Sequence, residues 1–142
     1  MRYLASFDVS GRRYQIPPKT KTDMEPTPLL TFTERQTLRR WLEQNHRTAT
    51  CCWVACSRSP HPVANTLPYL TIVEEALCFG WIDSTVKRLP DGRLAQRLSP
   101  RRRGSHWTEL NRQRCRDLQQ RGLMTPAGLQ ALRESELSPR VK

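Results

Sequence analysis

The hydrophobic period of this chain changes at Gly80, and that change limits the fold more than any other feature. Before it, "YLTIVEEALCF" places Leu70, Val73, Ala76 and Leu77 at helical spacing, behind Pro68, which suits a first helical turn. After it, "WIDSTVKRL" and "RLAQRLS" alternate, and the "PDG" between them offers Pro to preset a turn and Gly to accept positive φ. The pattern predicts a helix over 68–79, closed by Gly80 as a left-handed cap, that feeds a hairpin over 81–98. Asp83 then lies early in a strand, beside Trp81 and Ile82.

The flanking segments extend this plan. "TFTE" gives Thr31 and Glu34 the spacing of a capping box, and Leu38, Trp41 and Leu42 share one face, which predicts a helix over 33–45. "TCCWVACS" alternates around β-branched and aromatic residues and reads as a core strand over 50–57. In "SPRRRGSHWTELNRQRCRDLQQRG", Ser105 is an N-cap candidate, and Trp107, Leu110, Asn111, Cys115 and Leu118 line one face of a helix over 105–121. Thr125 and Pro126 open a last helix over 125–134. The expected fold is α+β: a small antiparallel sheet, strand plus β-hairpin, packed against about four helices over 31–134. Residues 1–30, punctuated by proline, are expected to form an extended or disordered lead with a short strand near Tyr3–Val9, and 135–142 a flexible tail.

Several function classes drop out. No apolar run approaches the roughly 20 residues needed to span a bilayer, so no membrane insertion is expected. The first residues lack the apolar core of a secretory signal, which predicts a cytoplasmic protein. The five cysteines, Cys51, Cys52, Cys56, Cys78 and Cys115, form no CxxC pair and suit free, mostly buried thiols. His46, His61 and His106 lack ligand spacing, so no metal and no cofactor are expected. There is no Walker or Rossmann loop and no recognisable hydrolase triad.

Five segments in order, "WLEQNH" (41–46), "EEALCFGWIDS" (74–84), "SPRRRGSHW" (99–107), "LNRQR" (110–114) and "GLMTPAGLQAL" (122–132), resemble the YdeI/OmpD-associated (OmdA-type, bacteriocin-protection) family of bacterial proteins. The resemblance covers about residues 30–134. It implies an association with stress or tolerance of cationic antimicrobial peptides, and it carries no catalytic residue set.

Charge points to the candidate site. The chain carries a formal +11, and between Lys87 and Arg121 eleven Lys or Arg stand against three acids. Such asymmetry draws a protein toward anions. Arg101, Arg102 and Arg103, followed by Gly104 and Ser105, read as an arginine-rich turn opening a helix. There, free N–H groups and fork-shaped donors converge on phosphate or carboxylate. Asp83 needs a partner if it is half-buried, and the hairpin brings Arg101 within reach, so Asp83 is expected to orient that turn by pairing with Arg101. Trp107 and Asn111, one turn apart, are a core pair or a stacking platform for a base. Glu74 and Glu75 are expected to face solvent or cap the sheet end. The function expected is a non-enzymatic protein whose basic face binds an anionic ligand, phosphate-bearing or nucleic acid. The alternatives are an enzyme acting on a phosphorylated small molecule near Asp83 and Arg101, or a protein-interaction module.

Overall fold

A computed structural model describes residues 4–7, 13–16, 26–59, 61 and 63–137; the remainder of the expected lead and tail lies outside the described residues. The chain runs β1 (Leu4–Phe7), β2 (Arg13–Ile16), β3 (Leu29–Leu30), α1 (Arg35–Asn45), β4 (Cys52–Ser57), β5 (Leu67–Pro68), α2 (Tyr69–Cys78), β6 (Trp81–Arg88), β7 (Leu94–Pro100), α3 (Glu109–Gln120) and α4 (Pro126–Leu137). The fold class is α+β, as expected.

The sheet is mixed rather than antiparallel. Its backbone is the expected antiparallel trio in the order β4–β7–β6, but β3 and β5 each add two residues parallel to β4. Neither Leu29–Leu30 nor Leu67–Pro68 is long enough to show a period, which is why alternation does not reveal them. A separate hairpin joins β1 to β2, so the strand expected near the N-terminus has a partner.

The two faces of the sheet are unequal. Cys52, Val54, Cys56, Trp81 and Leu98 join the helices in the main core, whereas Trp53, Ala95 and Leu89 form a small second cluster on the other face. α2 is the hub: it packs on α1, α3, α4, β4, β5 and β6. Its Ile72, Val73, Ala76, Leu77 and Cys78 are all buried, and each large apolar side chain among them contributes about 1.5–3 kcal/mol. Gly80 ends α2 at φ +75, where its N–H donates to the Leu77 carbonyl oxygen at 3.2 Å, so the cap is formed as expected. At the far side, Gly128 lets α4 lie directly on that terminus, because a Cβ there would collide with the Cys78 carbonyl oxygen. The Thr125 hydroxyl donates to that same oxygen at 2.5 Å.

Three local expectations are corrected. Thr31 and Glu34 form no capping box, because α1 starts at Arg35 and the Glu34 side chain makes no cap hydrogen bond. α3 starts at Glu109, not Ser105. Thr108 caps it by accepting the Asn111 N–H at 3.1 Å, while Trp107 turns into the core just ahead of it. Glu75 does not face solvent. It is wholly buried and accepts from Arg35 Nε at 2.5 Å and Arg39 Nη1 at 3.0 Å, both one turn apart on α1. Arg35 Nη1 also donates to Glu74 at 2.8 Å, and Arg39 Nη2 donates to the Leu123 carbonyl oxygen at 2.5 Å. One carboxylate thus ties α1, α2 and the α3–α4 connection together. Replacing Glu75 with Ala leaves Arg39 without its carboxylate and Arg35 with Glu74 alone, and chemical denaturation is expected to register a loss of about 3–5 kcal/mol.

Candidate anion site

Asp83 lies opposite Leu98 in the ladder, so its side chain leaves the sheet on the helix-facing side. A bulge between Asp83 and Val86 follows, closed by the buried Gln96, whose Nε2 donates to the carbonyl oxygens of Thr85 and Arg97 at 3.3 and 3.2 Å. The Asp83 carboxylate does not pair with Arg101. Its partner is the Tyr69 hydroxyl on the first turn of α2, which donates to Oδ2 at 2.8 Å. Burial first, and then the Asp83 carboxylate, push the Tyr69 phenol above its ordinary pKa, while Arg58 and Arg114 pull it down. A half-buried carboxylate needs a donor, but a phenol already anchored in α2 supplies one without drawing an arginine out of place.

Arg101 takes a different course. Its backbone N–H donates to the Gly80 carbonyl oxygen at 3.0 Å, which pins the end of β7 to the α2–β6 junction. Its guanidinium lies over the indole of Trp107, 3.7 Å from the ring centroid. Nη1 donates to the His106 carbonyl oxygen at 3.3 Å and reaches the Ser105 hydroxyl at 3.5 Å. Nε and Nη2 are buried with no acceptor. Burial pulls the pKa of this arginine down to about 10, with Cys115 and Asp83 acting weakly the other way. Asp83 is therefore near enough to act on Arg101 through its charge while remaining bonded to Tyr69.

The rest of the expected cluster divides. Ser105 closes a turn, its N–H donating to the Arg102 carbonyl oxygen at 3.0 Å with Gly104 at φ +76, but the turn precedes α3 by several residues. It therefore lacks the helix N-terminus expected there, and that terminus is already occupied by Thr108 and the acidic Glu109. Arg102 and Arg103 are exposed. Trp107 and Asn111 offer no platform for a base: Arg101 covers the indole, and Asn111 Oδ1 accepts from Arg114 Nη1 at 2.9 Å. His46 is structural, with Nδ1 at 2.8 Å from the Leu42 carbonyl oxygen.

Three residues of the site escaped the sequence reading. Tyr69 holds Asp83, Arg114 stands near the Tyr69 hydroxyl, and the Arg58 guanidinium covers the Tyr69 ring at 4.4 Å. Arg114 follows Trp107 and Asn111 at helical spacing, and that signal could have placed it. Among the described residues, no carboxylate comes within 4.0 Å of Arg58, Arg101, Arg102, Arg103 or Arg114, whereas Arg35, Arg39, Arg93, Arg112, Arg116 and Arg121 all have one. Also among the described residues, no cluster of His, Cys, Asp or Glu could hold a metal ion, and no helix is long and apolar enough to cross a membrane.

The chain matches the model of one family, Domain of unknown function (DUF8412), over residues 30–131. The match takes in well over half of the chain, which therefore belongs to that family. This corrects the resemblance to the YdeI/OmpD-associated family, and the association with peptide tolerance falls with it. The segments that carried the resemblance are short, and the packing of this fold accounts for much of them: Trp41 meets Trp81 edge to face at 6.2 Å, Glu75 clamps α1, and Gly128 admits α4. No curated protein and no solved structure matches the chain.

The Tyr69–Asp83 bond makes one expectation measurable. Asp83→Asn removes the charge that helps hold the proton on Tyr69. In a phenolate absorbance titration, the Tyr69 midpoint should fall relative to the native protein, because burial then acts alone against Arg58 and Arg114. An unmoved midpoint contradicts the bond.

Proposed function

We propose that this member of the DUF8412 family is a binding protein for an anion, most simply one carrying phosphate groups, and that Arg101 is the residue it is built around. The observation that carries this reading is the state of that side chain: a guanidinium largely taken out of water, held against Trp107, with Nε and Nη2 lacking acceptors and, among the described residues, no carboxylate in ion-pair range. Leaving a buried donor unsatisfied costs about 1–3 kcal/mol. Nε and Nη2 are closed to solvent, so an anion reaches them only when the 101–105 turn shifts; a phosphate or carboxylate oxygen that then accepts from them offsets that cost. Stacking on the indole is worth up to about 2 kcal/mol for a desolvated cation, and it holds the fork in one orientation before the ligand arrives.

Arg102 and Arg103 add exposed charge around this seat and raise the local concentration of anions, while Arg114, held by Asn111, adds a positioned one. Asp83, held by Tyr69, orients the surroundings of Arg101 and does not neutralise it. The five free thiols support a reducing compartment, and we place the protein in the cytoplasm.

Arg101→Met separates binding from folding. Replacing this partly buried cation by an apolar side chain of similar length removes its desolvation cost while keeping apolar contact with Trp107. The thermal midpoint should therefore hold or rise, while affinity for inorganic pyrophosphate by calorimetry should fall at least about tenfold, the equivalent of one charge-assisted bond. A variant that unfolds early and still binds pyrophosphate as tightly as the native protein contradicts the reading. Because only the protonated guanidinium binds, native affinity should also fall as pH rises through about 10.

A further inference from the structure

A second basic station lies at the turn end of the β6–β7 hairpin, the end opposite Arg101. Between Arg58–Ser59 and the turn joining β6 to β7 there is an open cleft of about 420 Å³, lined by Arg58, Arg88, Arg93 and Asp91 among others. The acid there is already matched: Asp91 Oδ2 accepts from Arg93 Nε at 2.8 Å and Nη2 at 2.7 Å, and Arg93 Nη1 is turned to the Asn65 carbonyl oxygen. Among the described residues, no carboxylate pairs with Arg58 or Arg88. Ser57 and Ser59 each accept a backbone N–H on their hydroxyl oxygens, which leaves both O–H groups able to donate into the cleft they line.

Tyr69 connects the two stations. Arg58 lies on its ring at 4.4 Å, and its hydroxyl holds Asp83 beside Arg101. A run of guanidinium groups therefore extends from the cleft, past Tyr69, to the 101–105 turn. An isolated phosphate can occupy one end of that run but not both. A ligand with phosphates repeated along a backbone can occupy the two together.

The aromatic residues narrow the class further. Proteins that hold single strands present open rings on which bases stack. Here one face of each ring is taken by the protein's own cation, Trp107 by Arg101 and Tyr69 by Arg58, and Trp107 is buried besides. A double helix keeps its bases stacked on one another and offers phosphates along its outside, which is what this surface can receive.

We propose, building on the anion-binding reading above, that the ligand is a nucleic-acid duplex gripped through its phosphates at two stations, Arg101 with Arg114 and Arg58 with Arg88, without recognition of base sequence. The test is fluorescence anisotropy over a salt series with two labelled DNA duplexes of unrelated sequence and with one of their single strands. It uses the full chain and the variants Arg58→Ala/Arg88→Ala and Arg101→Met, each checked for folding by circular dichroism. The duplexes should bind equally and more tightly than the single strand. The double variant should weaken binding and lower the magnitude of the salt slope by about two, one for each arginine that no longer neutralises a phosphate. Three results overturn the proposal: a double variant that binds like the native protein, a clear preference for one duplex sequence, or tighter binding of the single strand. If no nucleic acid binds but pyrophosphate does, the duplex is wrong and the anion seat at Arg101 stands. If neither binds, both fall.

Discussion

The charges in the interior are treated in two opposite ways, and the structure turns on the difference. Glu75 is wholly buried and fully compensated, with a guanidinium on each carboxylate oxygen and the same two arginines bracing α1 and the α3–α4 connection. Arg101 is largely desolvated and, among the described residues, has no acid of its own. A chain that supplies two arginines to one buried acid does not lack the means to neutralise a charge. The acid whose charge reaches Arg101, Asp83, is instead occupied by a tyrosine hydroxyl. The clamp around Glu75 fixes the helices on the sheet, and that rigidity lets the 101–107 segment hold a cation in a position its own hydrogen bonds only partly support.

Much of the fold is legible in the chain because its elements obey simple periods. The change of spacing at Gly80, the Pro-Asp-Gly turn and the Thr-Pro opening of the last helix each answer to a local backbone requirement, and the structure meets each of them. What local rules cannot supply is competition between neighbours. Ser105 and Thr108 are both good caps. The choice falls to Thr108 because Trp107 must reach the core, and only tertiary packing says so. The two-residue strands at Leu29 and Leu67 exist because β4 offers pairing groups, not because of anything in their own composition.

The candidate site is half legible for the same reason. Basic composition marks the right segment, and Arg101 and Trp107 do meet, but the expected roles are exchanged. The tryptophan supports the arginine rather than a ligand, and the acid takes its hydrogen bond from α2, not from the arginine. Tyr69 and Arg58 belong to the site because separate elements bring them together, a hydroxyl on α2 to an acid on β6 and a loop guanidinium to that same ring, and no spacing rule connects them. The excess of positive charge is thus arranged as a fixed guanidinium with an exposed basic surround, a design that favours association with polyanions and makes it sensitive to salt.

The most direct test of this account is the resonance of the Arg101 Nε–H group in proton–nitrogen spectra, assigned by its loss in Arg101→Lys. Because that group is buried and unshared, its signal should be visible in the free protein and should move strongly when inorganic pyrophosphate is added, ahead of any other arginine side chain. A signal that stays in place while backbone amides elsewhere report binding would show that the anion sits at another site and that Arg101 is not its seat.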